Sequence, residues 1–196
     1  MTRWQDWAHV ILSTRGSWLP GDPRGFRDHD HRSHSSGDYR NPPPTGEHAS
    51  LLRHSKRVVH REVVLAPEIC ERLVGAFIEK LDSMSLPIRV MALGRVHGHV
   101  LVRPGLADVK KLIARAKQAS SQSVHDVFPG SIWAQGCHVV RIRDEGHYRA
   151  TVSYIERHRD EGACVWVHPR WNQVRAVQGQ TTKADMPKRG ADLGGG

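Results

Sequence analysis

Two short spacings in this sequence bring chemistry-bearing side chains together. In Val96-His97-Gly98-His99-Val100 two imidazoles stand two residues apart within an apolar run, and a β-strand, whose side chains alternate between faces, turns both to one side. In Tyr154-Ile155-Glu156-Arg157-His158 a phenol and an imidazole stand four apart, the spacing that sets one side chain a turn above another on a helix. Neutral imidazole is a ligand for divalent metals, and a pair on one strand face can grip a single cation. A phenol, with an ordinary pKa near ~10, is a poor nucleophile at neutral pH until it is deprotonated or assisted by a metal. If the Tyr154 face looks onto the strand of His97 and His99, three ring nitrogens and a phenolic oxygen converge where a phosphate oxygen could complete a metal's coordination.

Neither spacing decides the matter alone. With 14 histidines in 196 residues, chance placement yields on the order of one His-x-His pair. His29 and His31 form a second pair, among Asp, Ser and Gly; a solvated loop accounts for it, and it is assigned no role. The pair at His97 and His99 differs because it interrupts an apolar run, where a half-buried polar group needs a partner to offset its desolvation. Its weight comes from the conjunction with Tyr154 and His158. Tyr148 is the rival nucleophile, but its nearest histidine is the adjacent His147, which points off at another helical angle. Tyr148 and Tyr39 are therefore read as structural.

The elements that must position these residues are legible as periodicity. Trp7 to Thr14 reads as a first strand, broken by Gly16, Pro20, Gly21, Pro23 and Gly25. From Arg27 to about Arg57 the chain is rich in His, Ser, Pro and Gly and poor in apolar residues, which reads as a polar surface insertion. Pro67 opens a helix with Ile69, Leu73, Ala76, Phe77 and Leu81 on one face, ending near Leu86-Pro87. Ile88 to Leu93 and Val96 to Val102 read as an antiparallel hairpin across Gly94-Arg95. Val109 to Val124 is helical, with Leu112, Ile113 and Ala116 as its buried stripe. A strand over Gly136 to Arg143, a helix from about Gly146 to Arg159 and a short strand over Cys164 to Val167 follow.

That order contains the split βαβ pattern, so the expected fold is an α+β, ferredoxin-like sandwich: an antiparallel sheet with helices on one face, plus a C-terminal helix carrying Tyr154. The expected organisation is one catalytic domain over residues 1–172, with its insertion at about 27–57, and a disordered tail over 173–196. The chain carries a formal charge of +9 and a pI near 10.0, which favours a polyanionic partner. Lys110, Lys111, Arg115 and Lys117 are candidates for contact with a DNA backbone, although a charged helix face is often simply solvated. Trp133, Trp166 and Trp171 could stack on unpaired bases, but core packing is the better account of Trp133 and Trp166. The three cysteines, Cys70, Cys137 and Cys164, are widely spaced, so neither a disulfide framework nor a cysteine-rich zinc site is indicated. With no signal peptide and no run of about 18 apolar residues, a cytoplasmic protein without a membrane partner is expected.

Over about Trp7 to Pro169 the sequence resembles the HUH single-tyrosine transposases, especially the REP-associated tyrosine transposases. The family's His-hydrophobic-His strand corresponds to His97-Gly98-His99-Val100-Leu101-Val102, with Gly98 in place of the usual bulky middle residue. Ile132-Trp133-Ala134-Gln135, Ile142-Arg143-Asp144, His147-Tyr148-Arg149 and Val152-Ser153-Tyr154-Ile155 look like the region around the family's nucleophile, which falls on Tyr154. Gly16 to Gly25 looks like a segment that follows the first strand in some members. The family commonly has an amide side chain as third metal ligand four residues after its tyrosine; here that position is His158. The resemblance implies an insertion-sequence type transposase that cleaves single-stranded DNA near a hairpin through a 5′-phosphotyrosine, releases a 3′-hydroxyl and then reverses the step in strand transfer. It implies Mg²⁺ or Mn²⁺ as cofactor, and a three-histidine site should favour Mn²⁺ more than an amide-containing one. A homodimer with exchanged tyrosine helices is one arrangement it allows, so whether Tyr154 serves its own metal site stays open.

Other readings are a domesticated relative that binds structured single-stranded DNA or RNA without cutting it, a ferredoxin-like RNA-binding module whose histidines merely pack, and a zinc hydrolase using water. Against the RNA module, none of the expected strands carries the aromatic-rich pattern of a base-stacking sheet.

Overall fold

The computed structural model describes residues 4–23, 36, 41, 44–59 and 62–170. The pair His29/His31, Tyr39, Trp171 and the tail expected over 173–196 lie outside the described residues. One compact body spans Met1–Trp166, and Val167–Gly196 forms a second unit.

The elements follow in the order β1 (Ala8–Ser13), α1 (Ala49–Val59), α2 (Pro67–Ser83), β2 (Ile88–Leu93), β3 (His97–Val102), α3 (Val109–Ser123), β4 (His138–Arg141), α4 (Glu145–Arg157) and β5 (Cys164–Val167). The strands form one sheet in the order β4-β1-β3-β2-β5. β3 lies between β1 and β2 and antiparallel to both, and β4 adds antiparallel to the other edge of β1. This is the expected ferredoxin-like α+β arrangement, with the β2–β3 hairpin closed by Gly94 N–H donating to the His97 carbonyl at 2.9 Å.

Strand alternation sorts the residues into two layers. Val10, Leu12, Met91, Leu93, Val100 and Val102 point to one face, where they pack with Leu73, Phe77 and Leu81 of α2 and Ile113 and Ala116 of α3 in the principal core. Trp133 belongs to this core, edge-on to Phe77, with its indole N–H donating to Ser120 Oγ at 3.0 Å. The pairings Ser13↔His97 and Ile11↔His99 put the histidines on the other face. Helix α4 packs against β2 and β3 there, burying Val152 and Ile155.

Local sequence explains where the helices begin. Pro67 occupies the first turn of α2, where its missing N–H is no loss. The Asp108 carboxylate accepts from the Lys110 and Lys111 amides to cap α3, and the Asp144 carboxylate accepts from the His147 amide at 2.7 Å to cap α4. Helix α1 was not among the expected elements. It begins within the polar stretch expected at about 27–57, runs two residues past it and buries Ser55, while Leu51 and Leu52 are only partly covered. Its seat is Gly21, at φ +89°, where a β-carbon would run into the backbone of His48 and Leu52. Only glycine combines that conformation with so close an approach.

Candidate metal and nucleophile site

β3 and α4 bring the sequence-predicted residues together. His97 lies at the exposed start of β3, His99 is buried two residues on, and His158 caps the C-terminus of α4. One ligand atom from each of the three imidazoles lies within 4.8 Å of the others. Ring centroids are 4.7 Å apart for His99 and His158, 5.2 Å for His97 and His99, and 5.8 Å for His97 and His158. The Tyr154 ring stands edge-on to both His158 (4.8 Å) and His99 (5.2 Å). Tyr154 remains 41% exposed.

The ring nitrogens are unequal. His158 Nδ1 lies 3.0 Å from the Tyr154 carbonyl; a carbonyl only accepts, so Nδ1 carries a proton and, in the neutral ring, the lone pair is on Nε2. His99 Nδ1 lies 3.0 Å from His9 Nε2, whereas His99 Nε2 is buried with no hydrogen-bond partner among the described residues. Burial pushes His99 down to about 3 and His9 to about 4, with neighbouring imidazoles adding to the effect. Neutral rings at ordinary pH suit ligation. Burial, seconded by the Glu161 carboxylate, raises the Tyr154 phenol above its usual range, so this tyrosine is protonated at neutral pH in the absence of a metal.

A buried, unpartnered imidazole nitrogen beside two further imidazoles fits a divalent cation. Leaving such an atom unsatisfied costs roughly 1–3 kcal/mol, and a metal would satisfy it. Arg89 of β2, buried, lies 3.9 Å from Glu156 and ties α4 to the sheet between Tyr154 and His158.

Other predicted residues fall elsewhere. Lys110, Lys111 and Arg115 are exposed on α3, which packs on the sheet face opposite the histidines. Lys117 is buried, its ammonium donating to the Ala134 and Gly136 carbonyls, so it is turned inward, away from the exposed trio. Tyr148 is buried between Trp4 (4.7 Å) and Trp7 (5.2 Å). Cys70, Cys137 and Cys164 are free thiols. Among the described residues no helix is long and apolar enough to cross a membrane. His9, at the heart of the site, was missed, although the apolar run Trp7 to Thr14 interrupted by one histidine is the same signal that singled out His97 and His99.

Residues 55–158, more than half of the chain, match the family described as "Transposase IS200 like", and this span includes both strand histidines, Tyr154 and His158. No curated protein gives a significant match. Among solved structures, one of a REP-associated tyrosine transposase bound to a REP hairpin is similar at 13% identity and a TM-score of 0.45, covering 83% of this chain and 71% of that one. A Deinococcus radiodurans R1 protein assigned as a transposase is similar at 16% identity and a TM-score of 0.43, covering 76% and 88%.

Proposed function

The chain belongs to the IS200-like transposase family, and from that membership we propose that it is a single-stranded DNA endonuclease and strand transferase whose nucleophile is Tyr154. The observation that carries the proposal is the meeting of three imidazoles with one partly exposed phenol, all from a single chain. His97, His99 and His158 would hold Mg²⁺ or Mn²⁺, which when bound polarises a scissile phosphate and eases loss of the phenolic proton.

In the cleavage step Tyr154 Oη forms a bond to phosphorus as the P–O3′ bond breaks; the 5′ side is left as a phosphotyrosine and the phenolic proton ends on the released 3′-oxygen or in solvent. A 3′-hydroxyl attacking the same phosphorus reverses the step and joins strands. The tyrosyl ester conserves the phosphodiester energy, so no nucleotide cofactor is called for. Because Tyr154 lies beside its own chain's histidines, the proposed reaction runs in cis, and exchange of α4 between subunits is not required. The substrate proposed is single-stranded DNA carrying a hairpin, with Lys110, Lys111 and Arg115 contacting its backbone.

The test is a library of hairpin oligonucleotides incubated with Mn²⁺ or Mg²⁺ and resolved on denaturing gels. A covalent protein–DNA adduct is expected from the wild type and none from Tyr154→Phe. No adduct across the library, combined with chelator-insensitive binding, would establish a binding protein instead; an adduct that persists in Tyr154→Phe would refute the nucleophile.

A further inference from the structure

The metal reading leaves one buried residue of the cluster without a role. His9 lies on β1, on the same sheet face as His99 because Ile11 pairs with His99. Its Nε2 sits 3.0 Å from His99 Nδ1, and both rings are buried. At that distance one nitrogen donates and the other accepts, which leaves two arrangements of neutral rings. If His9 Nε2 donates, His99 holds its own proton on Nε2 and presents an N–H toward the other imidazoles, where no acceptor lies within hydrogen-bond distance. If His99 Nδ1 donates, its Nε2 is a lone pair and can bind a cation.

We propose that His9 is a positioning residue for the metal site: its Nε2 accepts the His99 Nδ1–H, fixing the ring's orientation and the tautomer whose Nε2 lone pair faces His97 and His158. This rests on the metal reading above. Partners of this kind hold a ligating imidazole in place, and their loss commonly costs about 10- to 100-fold in metal affinity. His158 has the equivalent support from the Tyr154 carbonyl, so His99 and His158 are both oriented from behind, one by a side chain that mutation can reach and the other by backbone.

The experiment measures Mn²⁺ affinity by electron paramagnetic resonance for the wild type, His97→Ala, His9→Leu and His9→Gln, and the His99 tautomer in the metal-free wild type by proton–nitrogen correlation spectroscopy. Expected are a proton on His99 Nδ1, a fall of about 10- to 100-fold in His9→Leu, and recovery of most of that loss in His9→Gln, whose amide oxygen can accept the same bond. Thermal unfolding of each variant shows that the fold persists. Binding lost in His97→Ala but within about twofold of wild type in His9→Leu would overturn the role of His9 alone, as would a proton on His99 Nε2. Binding unchanged in His97→Ala would overturn the metal reading and this inference with it.

Discussion

Acid should destabilise the metal-free protein early, and the two buried histidines set the size of the effect. His9 and His99 are 8% and 4% exposed, and burial holds their folded-state values near about 4 and about 3, against about 6.5 in an unfolded chain. Both values are depressed, so the unfolded chain takes up protons first. The stability linked to these groups is fully present above about pH 6.5 and is lost as pH falls toward the folded values. Each group loses about 1.4 kcal/mol per pH unit inside that window, so between about pH 7 and pH 4.5 each removes roughly 2–3 kcal/mol. Against a total of about 5–15 kcal/mol for an ordinary domain, the pair is a large share. The assay is urea unfolding in chelator across a pH series, with wild type and His9→Leu compared. Removing one titrating ring should lower the slope of the acid limb by about 1.4 kcal/mol per pH unit. If His9→Leu, folded at neutral pH, loses stability on acidification as steeply as wild type, the neutral buried pair is refuted.

A β-carbon at Gly98 would lie 2.9 Å from the Ala92 carbonyl oxygen and 3.0 Å from Leu93 Cδ1, so Gly98→Val should cost about 1–3 kcal/mol in thermal or chemical unfolding; unchanged stability would mean that β2 and β3 yield freely. Lys117→Met should destabilise by about 1–3 kcal/mol, because it leaves the Ala134 and Gly136 carbonyls without their donor, yet leave the salt dependence of DNA binding unchanged. Alanine at Lys110, Lys111 and Arg115 together should do the reverse, lowering the slope of log affinity against log salt by about 0.7 per lost phosphate contact on single strands while the melting temperature holds. An unaltered slope in that triple variant would remove α3 from the DNA path.

The sheet and its large helices were legible because their periodicity is strong and their punctuation local. Pro67 starts α2, Asp108 and Asp144 cap α3 and α4, and the Gly94–Val96 connection is too short to make anything but a hairpin. Helix α1 was missed although Leu51, Leu52, Ser55 and Val59 recur at spacings of three and four; the polar run before it drew the reading to a loop, and its seat at Gly21 depends on a contact distant in sequence. Lys117 was legible in part. Ile113, Ala116, Lys117 and Ser120 fall on one buried stripe at spacings of three and four, so the helical period already placed its side chain inward; charge drew the reading outward. His9 carried the right signal, a polar ring inside an apolar strand, but which strand lies beside β3, and in what register, is settled by tertiary pairing.

Gly98 shows how far the two faces of one strand depend on each other. The His-x-His spacing belongs to the face that meets α4, but the residue between the histidines belongs to the face that meets α2 and α3, where it is paired directly with Leu93. Leu93 is fully buried and its side chain reaches over Gly98, filling the volume that a bulky residue at Gly98 would need. The absence of a side chain there is therefore a packing solution on the core face and leaves the histidines' own side of the strand unaltered. A larger residue would have to push β3 away from β2 or displace Leu93, and moving β3 moves His97 and His99 together relative to His158 on α4. The position that departs from the family pattern thus bears on the three-histidine cluster through strand spacing, and making Leu93 smaller should recover only part of the cost of a bulky residue at Gly98, because the Ala92 carbonyl oxygen still stands 2.9 Å from its β-carbon.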